Sequence, residues 1–350
     1  MLRFGAASLR PIRAAGNPTR PAQTGLSFPP PRPATLGDMT PPPRLVPQAG
    51  PAAWTGATLT PADWMVPVGA EVAAELAAAG PEPEAARLPL LAALLRGVAE
   101  RLEHGRGFCL LRGLNLDKLE APEAALLTLG RLLGTPLPQD GAGTLVVRLD
   151  GPGSAEDAPA RFHADPADAT GLLCLQQPRE GGSVTLVSAP SLHNTLLKSD
   201  RPSLALLHQP WPHGTAAAPS LLPVLSTASG AFVGRYDREA MIEPLLDEAQ
   251  HAALAALDAA AAMPGQALSI PLHTGDLLFH NPHLVWKRVS AGTVAMAGAE
   301  ADQAARLLLR LWLATPGSRD LPESFRQLFR ETAAGAARGG IPAGAAMVGG

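Results

Sequence analysis

The second half of the chain is built from short apolar segments that end at turn residues, and this spacing restricts the folds it can adopt. The segments lie between residues 144 and 315 and read TLVVRL, TGLLCLQQ, SVTLVSA, GAFVGRY, ALSIPLH, GDLLFH and RLLLRLWLA. Many short strands separated by turns are typical of an all-β sandwich or barrel. We therefore predict a β core that begins near residue 144.

Helical segments precede and interrupt this β region. Each has apolar residues at helical spacing, and several begin at proline or end at glycine. They are predicted at 70–80, 88–105, 121–134, 191–198 and 244–263. Helices in front of a many-stranded region predict an α+β domain with a barrel or sandwich core.

The two ends of the chain differ in composition from the middle. Residues 1–50 hold 11 of the 37 prolines, six arginines and one acidic residue, which is too little apolar surface to fold. We predict that this segment is disordered, or that Met39 is the natural start. A mitochondrial transit peptide is also arginine-rich, but the proline clusters oppose the helix it needs. The small residues of 333–350 predict a disordered tail, which leaves 51–332 as one folded domain.

The charge balance excludes several classes of partner. The net charge is −3 and aromatic residues make up 4% of the chain, so neither a basic surface nor stacking platforms for nucleic acid are predicted. There is no run of about 18 apolar residues, so no membrane span is predicted. Cys109 and Cys174 lie in apolar runs and are expected to be buried free thiols in a reducing compartment. We expect a cytoplasmic protein that acts on a small molecule.

The segment 161–188, RFHADPADATGLLCLQQPREGGSVTLVS, carries the clearest chemical pattern. His163 and Asp165 are two residues apart, so on a strand both side chains project from one face. A histidine beside a carboxylate supplies two arms of the 2-His-1-carboxylate triad of non-haem Fe(II) oxygenases. The tripeptide alone is a weak signal, because a surface histidine next to a turn aspartate gives the same pattern.

The wider sequence resembles the TauD/TfdA family of taurine dioxygenase-like proteins. The resemblance covers roughly residues 50–330, in the family's order, through AWTGATLTPADW, LEHGRGFCLLRGL, the 161–188 segment, GDLLFHNPHLV and RLLLRLWLATPGSRDLP. It implies a double-stranded β-helix, or jelly roll, with helical insertions. It also implies an oxidoreductase that uses Fe(II) and the cosubstrate 2-oxoglutarate to oxidise a small molecule. In this resemblance, His163 and Asp165 match the first two iron ligands.

The closing segment RLLLRLWL supplies candidates for binding the cosubstrate. Arg310 matches the family arginine that holds the far carboxylate of 2-oxoglutarate. Strand alternation places Arg306, Arg310 and Trp312 on one face and four leucines on the other, so the arginines face either solvent or a barrel mouth. The resemblance implies the inward direction, where a guanidinium can grip a carboxylate bidentately. Arg306 and Thr185 are weaker candidates for the same role, and Thr185 equally fits an ordinary strand threonine.

The third iron ligand is the point where this sequence departs from the family's pattern. When GDLLFHNPHLVWKRV is laid on the family motif, Lys287 takes the place of the distal histidine and Val289 that of the arginine after it. His283 shares a strand face with Lys287 but is about 13 Å away along a strand, so as a metal ligand it needs a register shift or bulge. His280 is an odd number of residues away and is predicted to face the opposite side.

Three alternatives remain open for Lys287. An ammonium group has no lone pair, so Lys287 can ligate Fe(II) only if the metal displaces a proton. A protonated Lys287 would instead pair with Asp165 and neutralise the site without metal. In the third alternative, iron rests on His163 and Asp165 alone, with cosubstrate and water completing its shell.

The sequence therefore supports two functions of different class. The first is an Fe(II)- and 2-oxoglutarate-dependent dioxygenase that oxidises a small molecule of unidentified structure. The second is a catalytically degenerate relative that binds a small carboxylate ligand without iron chemistry. His163, Asp165 and Arg310 favour the first function, whereas Lys287 and Val289 favour the second.

Overall fold

Two β-sheets enclose the centre of the protein, and helices cover the outer face of the larger sheet. The computed structural model describes residues 45–80, 82–119, 121–150, 161–177, 182–216, 218–289 and 306–342. The helices in these ranges are α1 (Pro61–Trp64), α2 (Ala70–Ala78), α3 (Pro89–Glu103), α4 (Pro122–Leu133), α5 (Ala189–Ser199), α6 (Arg201–Leu207), α7 (Glu248–Ala261) and α8 (Arg326–Phe329). None of these helices is both long enough and apolar enough to cross a membrane.

The strands alternate with these helices along the chain. They are β1 (Met65–Pro67), β2 (Phe108–Arg112), β3 (Thr135–Leu137), β4 (Val146–Asp150), β5 (Ala169–Gln176), β6 (Ser183–Ser188), β7 (Pro210–Thr215), β8 (Ala218–Pro223), β9 (Leu225–Ala228), β10 (Ala231–Gly234), β11 (Leu268–Pro271), β12 (Leu277–His280), β13 (Val285–Val289) and β14 (Leu307–Ala314). All seven segments that the sequence predicted as strands contain strands of the structure. The strands β1, β3, β7, β8 and β9 were not predicted.

The larger sheet has seven strands in the order β1-β2-β12-β5-β14-β3, with β4 also paired to β14. Its pairs are antiparallel except for β1 and β2, which run parallel. The smaller sheet has the order β11-β6-β13 and is antiparallel throughout. The strands β7–β8 and β9–β10 form two further antiparallel pairs.

One hydrophobic core joins the two sheets. The larger sheet contributes Leu172 and Leu278 to it, and the smaller sheet contributes Leu186 and Val285, all fully buried. Apolar side chains on the facing sides of two sheets form a common core of this kind in β-sandwiches. Any polar side chain that points between the sheets is therefore surrounded by protein and must find its partners there.

The helices α3 and α4 cover the other face of the larger sheet. Proline at the first position begins each of them, and their apolar residues recur at helical spacing. These residues pack on the alternate leucines of β14, including Leu309 and Leu311. Helix α4 lies close to the strand at Gly130, where an added Cβ would come within 2.4 Å of Leu311 Cδ2. The leucine face predicted for this strand thus lies under helices.

A turn at residues 281–284 separates β12 from β13 and sends them to different sheets. Asn281 organises it: Asn281 O accepts from Leu284 N at 3.0 Å and Val285 N at 2.9 Å, and Asn281 Oδ1 accepts from His283 N at 2.9 Å. Residues 275–289 are therefore not one continuous strand, and the prediction that compared His280, His283 and Lys287 by strand face is wrong. The alternation of side-chain direction along β12 therefore does not continue through this turn into β13.

The C-terminal segment 333–342 is part of the fold, so the tail predicted to begin at residue 333 is wrong over these residues. Gly340 N donates to Pro166 O at 2.7 Å, and Ile341 N donates to Pro138 O at 2.8 Å. The fully buried Arg338 donates from Nε to Asp168 Oδ1 at 2.9 Å. The predicted disorder of 1–44 and 343–350 concerns residues outside the described ranges.

Candidate functional site

His163 and Lys287 lie opposite each other, joined by two backbone hydrogen bonds. His163 N donates to Lys287 O at 2.9 Å, and Lys287 N donates to His163 O at 3.1 Å. The two residues form an antiparallel bridge beside β13. Directly opposed residues in an antiparallel pair project to the same side. The backbone therefore sets the imidazole and the lysine side chain next to each other.

The side chains of His163, Asp165 and Lys287 converge in the protein interior. Lys287 Nζ lies 2.5 Å from His163 Nε2 and 3.3 Å from Asp165 Oδ1. Lys287 is fully buried, and Asp165 is 4% exposed. The structure thus brings together the histidine and carboxylate that the sequence singled out, and it adds the lysine that replaces the distal histidine.

Asp165 uses its second oxygen for a separate set of contacts. Thr170 Oγ1, on β5, donates a hydrogen bond to Asp165 Oδ2 at 2.7 Å. His280 Nε2, at the end of β12, lies 3.8 Å from the same oxygen. The carboxylate is therefore held in one orientation, with Oδ1 toward Lys287 and Oδ2 toward the larger sheet.

His280 lies beside this site, although the sequence analysis placed it on the opposite side. Its Nδ1 lies 3.1 Å from Val285 O, and its Nε2 has no hydrogen-bond partner among the described residues. Burial lowers the pKa of His280 to about 4, so the imidazole is neutral. The prediction failed because the turn at 281–284 lies between His280 and Lys287. His280 is paired with Thr170 across β12 and β5, and this pairing places its side chain on the same face of the sheet as Thr170.

His283 belongs to a different buried cluster. Its Nε2 lies 3.5 Å from Asp168 Oδ1, which also accepts a hydrogen bond from Arg338. Its ring packs on Phe329 with centroids 5.4 Å apart. The turn at 281–284 directs this side chain away from Lys287. A role as metal ligand required a register shift that would bring His283 to the position of Lys287, and no such shift occurs. The expectation that His283 could act as a metal ligand is therefore corrected.

Arg310 is held by the buried side chain of Gln139. Arg310 Nε donates to Gln139 Oε1 at 2.7 Å, and Gln139 Nε2 donates to Arg310 O at 2.9 Å and to Leu145 O at 2.8 Å. The Arg310 Cζ atom lies 4.8 Å from the centroid of the Trp312 ring. The guanidinium is thus fixed at Nε and stacked on an aromatic face. Gln139 was not predicted as a site residue, because it belongs to no recognisable sequence motif.

The face of β14 that carries Arg310 is the face shared with the site. Arg310 pairs with Leu172, a residue of the core between the sheets. Trp312 pairs with Thr170, the residue that donates to Asp165. The inward direction expected for Arg310 therefore agrees with the strand register. Arg306, just before β14, is buried.

Thr185 lies on β6 but points away from the site. In the pairing of β6 with β13, Leu186 is opposite Lys287, and Thr185 is opposite Arg288. Neighbouring residues on a strand project to opposite faces. Since Lys287 and Leu186 point to one face, Thr185 and Arg288 point to the other. Thr185 is thus removed from the cosubstrate-binding candidates, and its alternative as an ordinary strand threonine stands.

His163 and Asp165 are two of the three protein ligands that a divalent metal has in a 2-His-1-carboxylate site. A partly buried imidazole nitrogen and a buried carboxylate oxygen both lie against Lys287 Nζ, and these are donor types that a histidine–carboxylate metal site uses. Within the described parts of the chain, no three His, Cys, Asp or Glu side chains come together to hold a metal ion. Among the described residues, Lys287 Nζ is a further nitrogen that lies close to both donors.

Comparison with solved structures shows the fold. An asparagine oxygenase in complex with Fe(II), 2S,3S-3-hydroxyasparagine and succinate matches with a TM-score of 0.55 and 20% identity, over 78% of this chain and 100% of that one. The non-haem iron oxygenase OrfP with Fe, succinate and (3R,4R)-dihydroxy-L-Arg matches with a TM-score of 0.54 and 18% identity, over 78% and 99% of the chains. The predicted α+β jelly roll is confirmed.

Comparison of sequences gives the family. FR-33289 synthase from Streptomyces rubellomurinus (strain ATCC 31215) is 27% identical over 264 residues, which cover 66% of this chain and 76% of the synthase. The model of the taurine catabolism dioxygenase TauD, TfdA family matches residues 73–286, more than half of the chain. That range contains both His163 and Asp165 and ends one residue before Lys287. The chain belongs to the taurine catabolism dioxygenase TauD, TfdA family.

Proposed function

We propose that this protein is an Fe(II)- and 2-oxoglutarate-dependent dioxygenase that oxidises a small molecule. The observation that carries the proposal is that His163 Nε2 and Asp165 Oδ1 lie 2.5 Å and 3.3 Å from the same buried atom, Lys287 Nζ. Membership of a dioxygenase family supports it. So does OrfP, a structural neighbour that was crystallised with Fe and alpha-ketoglutaric acid.

His163 and Asp165 would hold the metal. Bound iron would activate dioxygen, which is the oxidant: one oxygen atom would go to 2-oxoglutarate as it loses CO2 and becomes succinate, and the other would oxidise a C–H bond of the substrate. The protein contributes the positions of the donors. Two backbone hydrogen bonds to Lys287 fix the backbone at His163, and Thr170 Oγ1 fixes Asp165 by occupying its Oδ2. Burial of Asp165 limits competition by bulk water for its carboxylate.

Arg310 would bind the far carboxylate of 2-oxoglutarate. A guanidinium presents its donors in a planar fork that matches a carboxylate, and this match depends on the orientation of the plane. Gln139 holds Nε, and the Trp312 ring supports one side of the plane. Arg306 is a second cation near the start of the same strand. This arrangement favours recognition of a dicarboxylic cosubstrate.

The position of Lys287 favours a second candidate function. As an ammonium, Lys287 forms an ion pair with Asp165 and donates to His163, which satisfies both groups without metal. A buried carboxylate needs a cation, and the lysine provides one. In this state the protein would bind a small carboxylate ligand through Arg310 without iron chemistry.

Anaerobic titration with Fe(II) and 2-oxoglutarate tests the proposal. A dioxygenase site develops the visible charge-transfer band of iron chelated by the cosubstrate, at one equivalent of iron per chain. A protein of the second kind binds 2-oxoglutarate without developing the band. If the natural protein stays colourless while Lys287→His develops the band, the dioxygenase proposal is rejected for the natural chain.

A further inference from the structure

Three polar atoms, His163 Nε2, Asp165 Oδ1 and Lys287 Nζ, form a compact group in the interior. Donors on neighbouring corners of a six-coordinate metal lie about 3 Å apart, because bonds of about 2.1 Å meet at right angles. Lys287 Nζ lies 2.5 Å from the first atom and 3.3 Å from the second. These two distances lie on either side of the separation expected for neighbouring ligands. The lysine nitrogen therefore lies at a distance from both donors that suits a neighbouring ligand.

A lysine at position 287 can do what an arginine there could not. The chain contains three lysines, at 118, 198 and 287, and the other 25 of its 28 lysine and arginine residues are arginines. A guanidinium stays protonated and offers no lone pair, whereas an amine can lose its proton and become a metal ligand. Lys287 is the buried one of these three lysines, and it is the one that reaches the metal site.

His280 is a less suitable third donor. Its Nε2 lies 3.8 Å from Asp165 Oδ2, whereas Lys287 Nζ lies 3.3 Å from Asp165 Oδ1. Thr170 Oγ1 already donates to that oxygen at 2.7 Å. The lysine nitrogen, but not the His280 nitrogen, is thus in contact with both His163 Nε2 and Asp165 Oδ1 among the contacts of the described residues.

We propose that Lys287 supplies the third protein donor of the metal site, which makes a His–Asp–Lys set for a divalent first-row metal such as Fe(II). The inference rests on the proposed function and names a ligand for it. On binding, the Lys287 nitrogen gives its lone pair to the metal, and the displaced ammonium proton leaves to solvent. No oxidation or reduction accompanies this step.

Metal binding by three variants tests the inference. Lys287→Met keeps the length of the side chain but removes the donor, Lys287→His supplies an imidazole, and Lys198→Met is the matched control at an exposed lysine on α5. Each protein is dialysed anaerobically against Fe(II), and separately against Co(II), whose absorption reports its donors. We expect one metal per chain in the natural protein and the Lys198→Met and Lys287→His variants. We expect metal binding by Lys287→Met to be at least ten- to a hundredfold weaker.

The other outcomes separate the two claims. Equal affinity of the natural protein and Lys287→Met would overturn the lysine ligand and leave the dioxygenase proposal intact. Binding by Lys287→His with none by the natural protein would overturn both, because the lysine would then block the metal. Absence of metal from all folded variants would also overturn both.

A second measurement keeps the inference falsifiable if Lys287→Met does not fold. The natural protein is loaded with the vanadyl ion, and electron spin-echo spectroscopy separates an amine nitrogen from an imidazole nitrogen among its ligands. An amine coupling beside one imidazole coupling is expected. Imidazole coupling alone would overturn the inference.

Discussion

Gln139 holds Arg310 through both ends of its amide group. Its Oε1 accepts from Arg310 Nε at 2.7 Å, and its Nε2 donates to Arg310 O at 2.9 Å, across 171 positions of sequence. Gln139 is 4% exposed, so water does not compete for these bonds. The plane of the guanidinium is consequently set by a residue that would not itself touch the cosubstrate.

Replacing Gln139 by leucine is expected to weaken cosubstrate binding. The variant removes the acceptor from Arg310 Nε while keeping much of the side-chain volume, and a hydrogen bond to a charged group contributes about 1.5–3 kcal/mol. We expect the KM for 2-oxoglutarate to rise roughly ten- to a hundredfold, with unchanged metal content. Steady-state kinetics and metal analysis measure the two quantities.

Thr185→Val is the control for this prediction. Thr185 lies on the face of β6 opposite to Leu186 and Lys287, so its hydroxyl does not line the site. The variant should keep the natural KM for 2-oxoglutarate. A rise in KM equal to that of Gln139→Leu would show that general loosening of the sheets, and not Arg310, controls cosubstrate affinity.

Arg310→Lys is expected to bind 2-oxoglutarate poorly although it keeps the positive charge. An ammonium cannot form two parallel hydrogen bonds to a carboxylate, nor can it keep the planar stack on Trp312. We expect a loss of at least about tenfold in affinity, measured by equilibrium binding of 2-oxoglutarate. Natural affinity in this variant would mean that Arg310 is not the carboxylate anchor.

Arg338→Met is expected to destabilise the fold. The change leaves Asp168 buried without the guanidinium that bonds it at 2.9 Å, and breaking a buried ion pair on one side costs about 3–5 kcal/mol. Urea denaturation measures the free energy of unfolding. The double variant Arg338→Met, Asp168→Leu should be more stable than the single one, because it removes the unpaired charge. Equal stability of the two would contradict this account.

The stability of the protein should fall with pH below about 6.5. Burial lowers the pKa of His280 to about 4 and that of His208 to about 4, and it also lowers those of His193, His213 and His283. Between 6.5 and 4 the unfolded chain binds protons that the folded chain excludes, so the free energy of unfolding rises with pH. The stability these groups provide is complete above 6.5 and is lost as pH falls toward 4.

Urea denaturation at several pH values measures this dependence. Each excluded proton contributes a slope of about 1.4 kcal/mol per pH unit. His208→Gln removes one such group while keeping a polar partner for His193 Nδ1, which lies 3.3 Å from His208 Nε2. The slope of this variant should be smaller by about one proton. A natural protein with flat stability between pH 6.5 and 4.5 would contradict the prediction.

Local patterns determined the parts of the site that lie within one strand or one short segment. The spacing of His163 and Asp165 predicted a shared face, and the alternation of β14 placed Arg310 opposite the leucines. Both inferences need only the two-residue period of an extended backbone, which the sequence displays directly. The collinear motifs gave the family and with it the jelly roll.

The tertiary structure decided every relation that crosses a turn or joins distant segments. The turn at Asn281 places His280 beside Asp165 and takes His283 to Asp168, because strand parity ends where the backbone leaves the extended conformation. Gln139 reaches Arg310, and Arg338 reaches Asp168, only through the packing of segments about 170 positions apart. Sequence alone therefore named the histidine, the carboxylate and the lysine. The convergence of all three depends on the pairing of His163 with Lys287 between two segments 124 positions apart, which no local period encodes.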